Sequence, residues 1–274
     1  MLPLLLLASA AAPDAGAVLE ISPARVRPGD AFLVTVRGSA AAPSGGEAAG
    51  QPLAFWPAPG GFEAIGALPV ETGPGTLPVT VSLPGAALAG ALEVAPADFP
   101  EKRLTVAARF VKPPPPAVRR RIESDHRAFL AAWAQPPSPP LFSGRFVLPR
   151  EDRLNARFGE KRLFNGRKPS QHYGLDLGGD LGAPIVATGA GRVVLVRNCW
   201  ASGRSVVLWH GAGVFSTYFH MSKVAVKVGE VVARGQLLGK VGRSGRVTGP
   251  HLHWGVRVAG LYVDPESLLR LPLD

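Results

Sequence analysis

The stretch Gly249-Pro250-His251-Leu252-His253-Trp254-Gly255-Val256-Arg257-Val258 decides how this chain is read. Two histidines one residue apart, followed by alternating apolar positions, predict the start of a β-strand. Side chains alternate between the two faces of a strand, so His251 and His253 point the same way. Two imidazoles side by side on one face make a poor core and a good metal site. The plain alternative is a pair of solvent-facing histidines on an edge strand. The choice turns on whether the rest of the chain supplies further ligands.

Upstream, His172-Tyr173-Gly174-Leu175-Asp176 supplies them. A helix is ruled out by Gly174 and by Gly178-Gly179, which follow at once. In extended chain, residues an even step apart share a face, so His172 and Asp176 can converge. One carboxylate and two imidazoles suit Zn²⁺, and three protein ligands leave a tetrahedral ion one open position for water. The surrounding text is glycine-punctuated strand: Phe146 to Pro149, Leu154 to Gly159, Pro184 to Val196, Ser205 to Trp209, Val214 to Phe219, Val224 to Val228 and Leu237 to Val241. No long helical period interrupts it, which predicts a mostly antiparallel sheet.

A third element is Thr217-Tyr218-Phe219-His220-Met221-Ser222, where His220 ends an alternating strand. Together the three elements resemble the lysostaphin-type zinc metalloendopeptidases, a peptidoglycan-cleaving family of the duplicated hybrid motif fold. The match runs from roughly Phe146 to Pro265. It includes Phe158-Gly159, Gly182-Ala183-Pro184, Gly229-Glu230, Arg234-Gly235, Gly242-Arg243-Ser244-Gly245 and Thr248-Gly249-Pro250-His251-Leu252-His253. The resemblance implies that His172, Asp176 and His253 hold one Zn²⁺ per chain, and that His220 and His251 are catalytic histidines that do not bind it. That division is chemically sound, because zinc lowers the pKa of bound water to about 7. A histidine, with an unperturbed pKa near 6.5, can take the water proton and return it to the departing amine. Some members carry a tyrosine a few residues ahead of the first zinc histidine. This chain has Leu163-Phe164-Asn165-Gly166-Arg167-Lys168-Pro169-Ser170-Gln171 there, so either Asn165, Arg167 or Lys168 takes its place or the histidines suffice. His210 is read as structural, and Cys199 lacks the second cysteine that would support a role as a soft ligand. The competing function, a non-catalytic peptidoglycan-binding regulator of other wall hydrolases, is disfavoured because every matching ligand position holds a ligating type.

The first half reads differently. Ala31 to Val36, Leu53 to Trp56, Leu77 to Leu83, Leu92 to Val94 and Leu104 to Val111 are candidate strands at turn-punctuated spacing, which suggests an immunoglobulin-like β-sandwich. It looks non-catalytic: the first histidine of the chain is His126. Pro113 to Pro116 reads as a stiff connector. A helix is expected from Ala117 to Ala134, with Val118, Ile122, Phe129 and Trp133 at helical spacing, and then a second Pro-rich stretch from Gln135 to Pro140. Met1 to Ala12 has the apolar run and small-residue triplet of a signal peptide, and is too short to span a bilayer. The expected organisation is therefore mainly β: a signal peptide (1–12), a sandwich (17–112), a Pro-rich and helical linker (113–140) and a peptidase domain of antiparallel sheet or barrel (141–274).

Composition supports a globular protein. Of 274 residues, 18 % are charged and 46 % apolar, which excludes a disordered chain, and a single cysteine excludes an internal disulfide. The net charge of +10 asks for an anionic partner. The arginines are scattered and no basic run is interleaved with aromatics, so nucleic acid is not expected. A polyanionic cell envelope matches the charge equally well, but the charge decides little by itself. The resemblance implies peptidoglycan as the partner, in a periplasmic or secreted setting, and no motif sets an oligomeric state.

Overall fold

The computed structural model describes residues 16–105, 113–166 and 168–273. The expected leader, most of the Leu104 to Val111 strand and Arg167 lie outside them. The chain is mainly β, with two helices among the described residues.

The first half contributes β1 (Val18–Ser22), β2 (Arg25–Val26), β3 (Ala31–Arg37), β4 (Gly45–Ala48), β5 (Gln51–Pro52), β6 (Trp56–Ala58), β7 (Gly61–Ala67), β8 (Gly75–Leu83) and β9 (Ala86–Val94). These form a four-stranded sheet, β1-β3-β7-β6, and a five-stranded sheet, β2-β9-β8-β4-β5. β8 alternates buried and exposed residues from Pro78 onward, as a strand with one wet face must. It turns into β9 through Pro84-Gly85, where Gly85 takes a φ of 78° that a side chain would oppose. The expected strand from Leu53 to Trp56 is split: β5 ends before it and β6 begins at its last residue.

Next come β10 (Glu101–Leu104) and α1 (Pro116–Trp133), which starts with a proline in its first turn, where the missing N–H costs nothing. The second half contributes β11 (Leu154–Ala156), β12 (Lys161–Phe164), β13 (Lys168–Gln171), β14 (Leu175–Leu177), β15 (Pro184–Val186), β16 (Gly191–Cys199), β17 (Gly203–Trp209) and β18 (Val214–Met221). It ends with β19 (Lys223–Val224), β20 (Val231–Val232), β21 (Leu237–Lys240), β22 (Leu252–Val258), β23 (Leu261–Val263) and α2 (Pro265–Arg270). The main sheet has the order β11-β14-β22-β18-β17-β16-β20, with β23 paired to β22. β15-β21-β19 form a smaller sheet, and β10-β12-β13 another.

Three expected strands change on folding. Phe146 to Pro149 is an irregular segment that buries Phe146 and gives its Val147 amide to the Thr188 carbonyl. Pro184 to Val196 breaks between Val186 and Gly191, where the Thr188 amide leaves the ladder for the Tyr218 hydroxyl. Of Val224 to Val228, only Val224 is in a strand. Pro184 to Val196 is apolar because most of it is buried, and burial does not require a ladder, whereas Val147, Leu148 and Val228 of the other two stretches are exposed.

One apolar cluster runs through both halves, from Val26 to Leu273, with Trp254 and Tyr218 its largest fully buried side chains. The halves are also joined by hydrogen bonds. The Ala31 amide donates to Ser267 Oγ (2.8 Å) and the Asp264 amide to the Gly29 carbonyl (2.7 Å). Along β22, Leu252, Trp254, Val256 and Val258 enter this core, which turns His253 and Arg257 to the opposite face. On that face lies α1, whose Ala132 packs with Leu195, Val207 and Phe215.

Candidate metal centre

The site is built where β14 meets β22. Asp176 sits directly across the ladder from His253, and Phe219 of β18 pairs with His253 from the other side. His172 follows the last residue of β13. The expectation that His172 and Asp176 share the face of one extended segment is replaced by a different route. The chain leaves the small sheet at Gln171, bends at Gly174 and enters the main sheet at Leu175, so the two ligands come from two sheets.

Gly174 is needed there for space. A Cβ at this position would stand 2.8 Å from both Cε1 and Nε2 of His253 and 2.6 Å from the Trp254 carbonyl. The His253 ring thus backs its Nε2 onto Gly174 and presents Nδ1 forward.

His172 Nε2, Asp176 Oδ1 and His253 Nδ1 converge: His172 to Asp176 is 2.9 Å, His172 to His253 is 3.0 Å, and His253 to Asp176 is 2.9 Å. His172 Nδ1 lies 2.8 Å from the Arg157 carbonyl and must carry a proton to bond it, which leaves Nε2 with a bare lone pair. Asp176 Oδ1 is also an acceptor, and His253 Nδ1 can carry at most one proton. Three atoms in mutual contact with so few protons are an excess of lone pairs that a cation relieves. A histidine that gives its other N–H to a backbone carbonyl is the arrangement of a metal ligand. A tetrahedral zinc ion with bonds of about 2.0–2.2 Å separates its ligand atoms by roughly 3.3–3.6 Å. The three atoms stand a few tenths of an ångström inside that spacing, so the donor set fits such an ion. Among the described residues these three form the one group of histidine, cysteine and carboxylate side chains so placed.

Two more imidazoles border the group. The His220 ring lies 4.9 Å from that of His251 and 6.3 Å from that of His253, centroid to centroid. His251 Nε2 is 3.8 Å from Asp176 Oδ1. Both rings are oriented by backbone carbonyls: His220 Nδ1 bonds the Ser244 carbonyl (2.9 Å) and His251 Nδ1 the Gly249 carbonyl (3.0 Å). In its neutral form each ring then presents Nε2 as a proton acceptor. His220 is held in the left-handed backbone region, at a φ of 65°. Burial, and then the neighbouring His253, push its pKa down to about 3. Burial raises the Asp176 carboxyl, yet His172 and His253 more than reverse this and hold it well below the usual carboxylate range. Burial likewise lowers His253, against the pull of Asp176.

Arg162, on β12, also belongs to the site. Its Nη2 donates to Asp176 Oδ2 (3.1 Å) and its Nε to Glu160 Oε1 (2.6 Å). Nothing in the local text marks it, because its approach depends on how the β12-β13 hairpin meets β14. Asn165 lies at the turn of that hairpin. His210 is fully buried, with Nδ1 2.7 Å from the Ala190 carbonyl and Nε2 2.7 Å from Ser216 Oγ, and burial lowers its pKa to about 4. It is a core residue with both nitrogens used. Cys199 is a buried free thiol at the end of β16, outside the ligand group.

Peptidase family M23 matches residues 170–265, a span that contains all five of the site residues expected from the sequence. The crystal structure of a Pseudomonas aeruginosa protein assigned to peptidase M23 superposes with a TM-score of 0.69 at 30 % identity, covering 88 % of this chain and 94 % of that one. The chain belongs to peptidase family M23. The peptidoglycan DD-endopeptidase ShyA of Vibrio cholerae is 38 % identical to this M23 peptidase over 117 residues, 42 % of this chain and 27 % of the relative. The chain thus spans about a quarter of the length of that curated relative. The catalytic domain of the antimicrobial peptidase lysostaphin from Staphylococcus simulans is 30 % identical, over 43 % of this chain and 92 % of that domain, with a TM-score of 0.38.

Proposed function

We propose that this M23 peptidase is an exported zinc metalloendopeptidase that hydrolyses peptide bonds in the stems or cross-links of bacterial peptidoglycan. The observation that carries the reading is the meeting of His172 Nε2, Asp176 Oδ1 and His253 Nδ1 within 3.0 Å of one another. The similarity to a relative named as a peptidoglycan DD-endopeptidase supports the substrate class. The net charge of +10 suits an anionic wall. Among the described residues, no helix is long and apolar enough to cross a membrane.

His172, Asp176 and His253 would hold the zinc ion. When bound, zinc supplies a Lewis acid that acidifies water to near neutrality and polarises the scissile carbonyl. The remaining chemistry falls to the two flanking imidazoles. His220 and His251 each have Nδ1 tied to a carbonyl, so Nε2 of either ring can take a proton from the attacking water and deliver it to the departing amine. Whichever ring then carries the proton donates to the oxyanion from its Nε2–H. In this reading residues 17–112 form a non-catalytic unit, 113–140 link it to the peptidase domain, and residues 141–274 carry the chemistry.

Digestion of purified sacculi, followed by mass spectrometry of the released muropeptides, tests the assignment. The parent chain should release cleaved stem or cross-link peptides and contain one equivalent of zinc. Asp176→Ala and His253→Ala should lose zinc and digestion together. Digestion by either variant at the parental rate would refute the ligand set.

A further inference from the structure

We propose that Arg162 is a positioning residue that keeps Asp176 bound to the metal through a single oxygen, and that strand β10 of the N-terminal half holds Arg162 in place. The inference rests on the metal reading above and concerns how the chain shapes that site. Asp176 presents its two oxygens to different partners. Oδ1 lies 2.9 Å from both ligating nitrogens, whereas Oδ2 accepts from Arg162 Nη2 at 3.1 Å. A carboxylate with a free second oxygen can rotate and bind a metal through both, which would consume the coordination position that catalysis requires open. The guanidinium opposes that rotation by charge and by a directed N–H.

The guanidinium is itself fixed. Its Nε donates to Glu160 Oε1 at 2.6 Å, so one planar group bridges two carboxylates. All three side chains are largely buried, at 20 % exposure for Arg162, 10 % for Glu160 and 13 % for Asp176. The Glu160 backbone serves the same end, since its carbonyl accepts the His172 amide (3.0 Å). Glu160 and Arg162 thus locate two of the three ligands.

What steadies β12 comes from the other half of the chain. An isolated two-stranded hairpin is marginal in water, and β12-β13 would be one without a third strand. β10 supplies it in parallel, with Lys102 opposite Arg162 and the Lys161 amide bonded to the Pro100 carbonyl (2.9 Å). Phe99 packs where a side chain at Gly159 would stand, one residue before Glu160. The N-terminal half therefore reaches the metal centre through three links: β10 to β12, β12 to Arg162, and Arg162 to Asp176.

The test is zinc affinity of the full chain, measured by competition with a chromophoric chelator, together with the absorption spectrum of the cobalt(II) form and the thermal melt. Arg162→Gln should weaken zinc about 10- to 100-fold and alter the cobalt spectrum. Arg162→Lys should weaken it less, because an ammonium keeps the charge but lacks the planar fork that fixes both carboxylates. Glu160→Gln and Lys102→Pro, which loosen the arginine from its two sides, should move affinity in the same direction. If Arg162→Gln lowers only the melting temperature and binds zinc like the parent, Arg162 merely pins the hairpin and the proposal fails. A raised KM at parental zinc affinity would make it a substrate contact instead, and also overturns the proposal. Parental zinc affinity in Lys102→Pro overturns the part given to β10. A parent that binds no zinc would sink the metal reading itself, an outcome distinct from all of these.

Discussion

His220 and Gly174 show how much of the centre is settled one residue at a time. With Nδ1 committed to the Ser244 carbonyl, His220 faces the site with a proton acceptor and lies outside the group of converging donors. His220→Ala should leave zinc content at one equivalent while wall hydrolysis falls about 10²- to 10⁴-fold. Elemental analysis beside a sacculus assay checks both, and loss of zinc would place His220 among the ligands. Gly174 acts by having no side chain. Gly174→Ala pushes a methyl group against the His253 ring and the Trp254 carbonyl. Because the carbonyl cannot yield, the expected cost is about 1–3 kcal/mol of stability together with weaker zinc binding. Denaturant unfolding and a chelator titration read the two effects separately. The three residues whose donor atoms converge are legible in the text, since His-x-His alternation and the His-x-x-x-Asp spacing are local. Arg162 is not, since its partner is 14 residues away and on another sheet.

Among the elements, α1 is the instructive one. Its apolar spacing predicts a helix from Ala117 to Ala134, and the observed helix is Pro116–Trp133. Spacing does not say what the helix lies on. Phe129 meets Phe219 edge-on at 5.6 Å, and Phe219 in turn stacks on His253 at 5.3 Å, so the helix reaches the wall of the metal centre. Most of the helix surface is exposed, and its anchor is polar: Asp125 accepts from Arg197 Nε (2.7 Å) and from the Trp200 amide (2.8 Å). Asp125→Ala strands a backbone donor and a guanidinium, at a cost of about 2 kcal/mol. Hydrogen exchange should then quicken over residues 116–133 while the β17-β18 amides stay protected. Unchanged exchange over the helix would mean that it is held by its aromatic contacts instead.

At the scale of the whole molecule, the joint between the halves is where pH acts. Asp264 caps α2 through the Glu266 amide (3.0 Å), and its own amide bonds the Gly29 carbonyl. Burial, with Asp30 and Glu266 nearby, raises its carboxyl to about 6 against the partial relief of the Glu266 amide and Arg270, while Arg27 stands 3.6 Å away. Burial raises Asp30 as well, against the Arg27 amide and charge. The folded protein thus keeps a proton on Asp264 at a pH where the unfolded chain has released it. Unfolding between pH 4 and 6 releases that proton, so raising pH favours unfolding across this window, by roughly 3 kcal/mol for Asp264 alone. Asp264→Asn keeps a competent cap and removes the titration. Its melting temperature should match the parent near pH 4 and exceed it at pH 7. An equal deficit at both pH values would show that the carboxylate stabilises the joint.

By itself, the order of residues determined the periodic features of this protein: the β class, the helix, the histidine pairs and the family they indicate. Each of these is carried by neighbours in the text, and a strand or helix maps spacing directly onto a face. Folding alone decided which nitrogen of each histidine faces the centre, that His172 and Asp176 arrive from different sheets, and that a strand near residue 102 stands beside Arg162. Those facts depend on where separate sheets cross and on the volume that Gly159 and Gly174 leave open. Register and close approach between distant segments follow from packing the whole core at once, and no local pattern encodes them.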